Sequence, residues 1–215
     1  MKHALINRLA SAALIGLVGV LAPTVARAQG PGEHPVLSDR AVLHDPEVPS
    51  FGNPGGDVTV VEFFDYQCPF CRKAHPDLTR LVAEDGKVRV VLKDWPILSP
   101  SSRIAAQIAL AAKYQGKYAP VHAALMEITG RLDQDKIRSA LVKAGVDLDK
   151  LNADLKGHAA EIEAVLARNN AQAEALGLSG TPGFLIGPFR VPGTPTYQDM
   201  KRSVAQARER ATGAP

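Results

Sequence analysis

Cysteine is almost absent from this 215-residue chain, and the only two, Cys68 and Cys71, stand three positions apart. A structural zinc site takes four ligands. Cys68, Cys71 and His75 could supply three, but there is no second cysteine pair. Covalent haem attachment needs histidine directly after the second cysteine, and Arg72 stands there. A purely structural disulfide across so short a loop would restrict the unfolded chain very little. Long apolar runs are also missing. The longest, Leu9 to Leu21, is too short to span a bilayer comfortably. There is no internal repeat, no long low-complexity stretch and little surplus charge. Lys2, Arg8 and Arg27 take three of the 25 basic residues and none of the 22 acidic ones, so the chain beyond them is balanced. A balanced chain offers no electrostatic footprint for nucleic acid.

Residues 1–28 have the order of a secretory signal peptide. Lys2 and Arg8 form a positive segment, the apolar run follows, and Ala26-Arg27-Ala28 makes a small-residue cleavage site. The mature protein is expected to begin near Gln29. No cysteine stands directly after the apolar run, so a lipid-anchored form is not expected. Export would place the chain in the periplasm, an oxidising compartment in which two isolated cysteines serve redox chemistry more readily than metal binding. About 187 residues would remain, enough for one well-buried domain or one with a sizeable insertion.

The stretch Val58-Thr-Val-Val-Glu-Phe-Phe64 is rich in β-branched and aromatic residues and reads as a strand buried on both faces. After Asp65-Tyr66-Gln67 the period changes, and Pro69 suits the first turn of a helix, where a missing N–H is harmless. Cys68 then falls near the N-cap, where unpaired N–H groups and the helix dipole favour an anion. Arg72, Lys73 and, if protonated, His75 add cationic surroundings, so Cys68 should hold a thiolate of depressed pKa. Cys71, one turn further in, could attack a mixed disulfide at Cys68. Cys68 is thus the expected nucleophile and Cys71 the resolving thiol.

Residues 29–56 are rich in proline and glycine and read as a loosely packed arm. Residues 57–98 hold the first strand, a helix from about Pro69 to Asp85 interrupted by Pro76, and a second strand, Val88 to Leu92. Apolar residues at helical spacing dominate 99–176 and predict about five helices, with Asp133 and Asp147 as N-caps and Gly130, Gly145 and Gly177 as punctuation. Tyr114, Tyr118 and His122 in this stretch read as packing or surface residues, and His75 as a solvated helix residue. Residues 177–212 return to strand pattern, with Phe189 to Val191 a last strand and a helix from about Thr196 that buries Met200, Val204 and Ala207 and ends in a solvated Arg208-Glu-Arg.

Glu62-Phe-Phe-Asp-Tyr-Gln-Cys-Pro-Phe-Cys71, followed by Gly180-Thr-Pro-Gly-Phe184, resembles the DsbA-like branch of the thioredoxin superfamily, in particular its periplasmic Com1/ScsC-type thiol-disulfide oxidoreductases. The likeness covers about residues 40 to 210. It implies an α/β thioredoxin fold with an inserted all-helical subdomain. It also implies a cis Thr181–Pro182 bond beside the cysteines, where sequence alone would allow an ordinary turn. Thr181 and Pro182, with Pro69 and Phe70, would then hold an extended substrate segment. The family places a buried carboxylate six residues before the first cysteine. Glu62 is there, and could exchange a proton with Cys71; the plainer alternative is an edge acid with its carboxylate in water. Lys93 is its candidate partner.

No cofactor is implied, because the redox equivalents reside on the thiols. The implied partners are unfolded or disulfide-containing exported proteins and a membrane redox partner. Phe70 stands where strong oxidases carry histidine, and Thr181 where they tend to carry valine, so a moderately oxidising protein is expected. Isomerisation would need an oligomer, which the sequence does not show. Two other readings stay open: a periplasmic copper- or zinc-binding protein using the same cysteines, and a docking module without catalysis.

Overall fold

The structure is a computed structural model that describes residues 35–191 and 193–213. The expected signal peptide lies outside them. Five strands form one sheet: β1 (Ser50–Gly52), β2 (Val58–Phe64), β3 (Val88–Asp94), β4 (Gly183–Ile186) and β5 (Phe189–Val191), in the order β1-β3-β2-β4-β5. β2 and β3 are parallel, and the other pairs are antiparallel. A parallel pair needs a crossover, here α2 (Pro69–Asp85). The chain is an α/β protein with a thioredoxin-type sheet and an inserted block of helices.

That block contains α3 (Pro100–Ala112), α4 (Tyr118–Met126), α5 (Gln134–Lys143), α6 (Leu148–Gly157) and α7 (Ala159–Ala175). Asp133 and Asp147 cap α5 and α6 through their side chains, as their positions predict. The capping-box residues Thr196 and Asp199 open α8 (Tyr197–Thr212), which buries Met200, Val204 and Ala207.

Two expectations need correction. Residues 35–52 are a packed part of the domain rather than a loose arm. Pro35–Leu37 form a 3-10 turn, α1 (Asp39–Leu43) follows, and Ser50–Gly52 supply the edge strand. Val42 and Val48 are buried in the core. Proline and glycine here shape short elements instead of preventing them. Arg208 is also not a free solvated end. Its guanidinium reaches Asp57 before β2 (Nη2–Oδ1, 2.8 Å) and Asp85 at the end of α2 (Nη2–Oδ1, 2.6 Å). Helical spacing from Met200 gives no sign of two acids so distant in sequence. Arg208→Ala should lower stability by about 1 kcal/mol, because a fork on two carboxylates exceeds an isolated exposed pair; a urea titration with an unchanged midpoint would show that solvent screens it fully.

Alternation along the strands decides what meets what. Lys93 pairs in register with Phe63, whereas Glu62 pairs with Leu92 and Phe184. Neighbouring positions on a strand point to opposite faces. Lys93 faces α1, donating to the Ala41 carbonyl (3.3 Å). Trp95, two residues on, meets Asn170 of α7 (2.9 Å). Glu62, Phe64, Leu92 and Asp94 face the other way, toward α2 and α4.

Candidate active site

β2 ends at Phe64, and the turn that follows is tightly anchored. The Asp65 carboxylate accepts from Gln67 N (2.7 Å), Ile97 N (2.9 Å) and Leu98 N (2.8 Å). The Asp65 carbonyl accepts from Cys68 N (3.0 Å). Cys68 is therefore delivered as the N-cap of α2, in extended conformation, with Pro69 in the first turn. The insertion braces the same turn: Gln67 Nε2 (3.1 Å) and Arg72 Nη1 (2.7 Å) both donate to the Gly130 carbonyl. None of these side chains was singled out from the sequence as holding the turn, since Gly130 lies far along the chain.

Both cysteines are thiols, and both are buried. Cys68 Sγ accepts from Cys71 N (3.4 Å) and contacts the Thr181 carbonyl (3.2 Å). Thr181–Pro182 is cis, as the resemblance implied. Hydrogen bonding from the Cys71 thiol, with smaller help from Thr181 and from the N–H groups of Cys71 and Phe70, brings Cys68 down to about 6 against the cost of its burial. The same surroundings act oppositely on Cys71: burial, its bond to Cys68 and the Glu62 charge push that thiol up. The pair is thus split into a ready thiolate and a reluctant thiol.

The source of the cationic help differs from expectation. Arg72 donates Nε to the Tyr66 carbonyl (2.8 Å) and Nη1 to the Gly130 carbonyl, so its hydrogen bonds go to backbone and none to Cys68. His75 is held down by burial and stays neutral. Directed donors, more than net charge, favour the Cys68 thiolate.

Glu62 is fully buried, and neither carboxylate oxygen has a partner. Burial first, and then a Cys68 thiolate, raise it to about 8. Lys93 does not join it. It is also buried, on the opposite sheet face, where burial lowers it to about 8. Sequence spacing placed both at the right depth, but strand alternation separates them.

Around the cysteines, Phe70 is 57% exposed and, with Gly180, Thr181, Pro182 and Thr194, borders an open groove of about 350 Å³. Ile97 and Leu98, tied to Asp65, are exposed apolar residues beside the same turn. Among the described residues, no three His, Cys, Asp or Glu side chains converge as a metal site, and His75 meets His122 (ring centres 5.0 Å apart).

Residues 59–205 match the family described as the DSBA-like thioredoxin domain, and the chain belongs to that family. It is similar to a thioredoxin-like oxidoreductase from Silicibacter pomeroyi DSS-3, at 41% identity and a TM-score of 0.76, over 80% of this chain and 98% of that one. It is similar to the thiol-disulfide exchange protein alpha-DsbA2 from Wolbachia pipientis, at 29% identity and a TM-score of 0.74, over 78% and 91%. The catalytic domain of Proteus mirabilis ScsC aligns at 27% identity and a TM-score of 0.69, over 78% and 93%. Among curated proteins, a Na(+)/H(+) antiporter NhaA 1 from Salinispora arenicola is 28% identical over 70% of this chain. The chain spans only 23% of that antiporter's length. No helix among the described residues is long and apolar enough to cross a membrane.

Proposed function

We propose that this protein is an exported thiol-disulfide oxidoreductase acting on extracytoplasmic proteins. The observation that carries the reading is the split between the two thiols, with Cys68 poised at a helix N-terminus against the Thr181–Pro182 loop. The Cys68 thiolate displaces one sulfur of a substrate disulfide, forming a mixed disulfide and releasing the other as a thiolate. Cys71 then gives its proton to Glu62, attacks Cys68 Sγ, and expels the second substrate sulfur. Two electrons pass from the protein dithiol to the substrate; the reverse series forms a disulfide in the substrate. The exposed Phe70, Ile97 and Leu98 suit an unfolded, apolar segment, and the Thr181 backbone suits pairing with an extended one.

The charge change times the second step. While Cys68 is a thiolate, its charge helps hold Glu62 protonated. In the mixed disulfide that charge is gone, Glu62 ionises more readily, and a base becomes available beside Cys71 at the moment it is needed.

A Cys68 thiol at about 6 falls between values of about 7 for thioredoxin and about 3.5 for DsbA. A more stable thiolate makes a stronger oxidant. Equilibration of the pair with glutathione should give a potential of roughly −180 mV, well above thioredoxin at about −270 mV and below DsbA at about −120 mV. A thioredoxin-like value would assign the protein to reduction, and purified protein that exchanged no disulfide with glutathione would refute the reading altogether.

A further inference from the structure

The sheet face that carries Glu62 carries a second buried acid. Asp94 stands in register with Phe64, two positions along β3 from the Glu62 partner Leu92. Tyr118 of α4 donates its hydroxyl to Asp94 Oδ2 (2.8 Å). Tyr66, in the turn before Cys68, shares a hydrogen bond with His122 Nδ1 (3.0 Å). His122 stacks on Tyr118 and meets the His75 ring of α2 edge to face.

Such a group of polar side chains costs stability unless it is fully paired. Here it is left incomplete in a pattern. Most of the buried, unpartnered side-chain polar atoms among the described residues lie in this one layer: both Glu62 oxygens, Asp94 Oδ1, His122 Nε2 and His75 Nδ1. The two ends of the layer differ. Glu62 is sealed from solvent. At the other end His75, Tyr118 and His122 line a cavity of about 190 Å³ between α2, α4 and the β1 edge, with Ser50 and Phe51 on its far wall.

Resting on the redox reading above, Cys71 loses a proton in each cycle, and its acceptor Glu62 is out of reach of bulk solvent. We propose that Asp94, Tyr66, Tyr118, His122 and His75 form the route by which that proton passes from Glu62 to the cavity and out. Glu62 and Asp94 sit on the same sheet face of adjacent strands, two register positions apart, and their unpartnered oxygens leave room in the hydrogen-bond pattern for the first transfer to pass between them through a bridging water. Each later group takes up one proton and gives up one, and only Glu62 changes state. No electrons move along the route.

The surrounding groups keep it near neutrality. Burial raises Asp94 to about 7, the Tyr118 and Tyr66 hydroxyls oppose the rise, and the Asp65 charge adds to it. Burial holds His122 neutral, with His75 acting in the same direction. Glu127, on the same side as α4, pulls His75 upward against burial. From α2, His75 and the uncharged Thr79 line the cavity, and the Ser50–Phe51 wall from β1 adds no charge.

The test is resolution of a Cys68–glutathione mixed disulfide in the purified protein, followed as glutathione release across the neutral pH range. Asp94→Asn should slow release at least about tenfold and displace its pH profile, and Tyr118→Phe should act in the same direction. The rate at which iodoacetamide alkylates reduced Cys68 should stay unchanged in both. Unaltered pH profiles, or equal losses in release and alkylation, would overturn the route. Should Asp94→Asn not fold, Tyr118→Phe decides alone, because phenylalanine keeps the ring packing. Failure of the unaltered protein to resolve the mixed disulfide would instead refute the redox reading on which the route depends.

Discussion

Cys71→Ser should accumulate as covalent adducts with exported proteins, visible on a non-reducing gel and dispersed by added thiol. The serine hydroxyl can still donate to Cys68 Sγ, as the Cys71 thiol does, so Cys68 keeps the main cause of its low pKa. What is lost is the attack that clears the mixed disulfide, because a hydroxyl is not a nucleophile toward sulfur near neutral pH. Cys68→Ser should give no adducts and lose all measurable exchange, since the remaining thiol is buried and pushed up. Adducts from Cys68→Ser alone would reverse the two roles.

Glu62→Gln should make the reduced protein more stable and slower, with both effects depending on pH. An acid whose pKa is raised on folding stabilises the fold fully below its unfolded value. That contribution is lost as pH rises toward the folded value. For Glu62 the window runs from 4.5 to about 8. Above it, the native fold carries a buried, unpartnered carboxylate at a cost of up to about 5 kcal/mol. Glutamine cannot ionise, so the variant should gain stability over the native protein by several kcal/mol at alkaline pH and little at acid pH. Mixed-disulfide resolution should slow about a hundredfold with the base removed. A stability difference that stayed flat with pH would mean Glu62 titrates normally; an unchanged pH–rate profile would remove it from the mechanism.

These two predictions rest on features of different legibility. The cysteine pair, its place at a strand-helix junction and the roles of its members follow from local rules. A β-branched run, a proline suited to the first helical turn and an N-cap position are all written within a few residues. Caps at Asp133 and Asp147 and the buried stripe of α8 were legible for the same reason. The cis-proline loop was legible only through resemblance, because its meaning lies in facing a segment far away in the chain.

What the sequence by itself determined is the chemistry available: two thiols of unequal standing at the mouth of a helix, one acid six residues upstream, and elements suited to an α/β sheet with helices inserted. Tertiary structure alone decided which groups meet. Strand alternation turned Lys93 to the opposite face from Glu62, and β2–β3 pairing put Asp94 on the same face as Glu62. Packing of α4 buried Tyr118 and His122 against the turn that delivers Cys68, although helical spacing marked them only as packing or surface positions. The physical reason is range. Capping and periodicity act within a turn or two of chain, whereas the partner of a buried charge is set by register and by helices that arrive from elsewhere in the sequence.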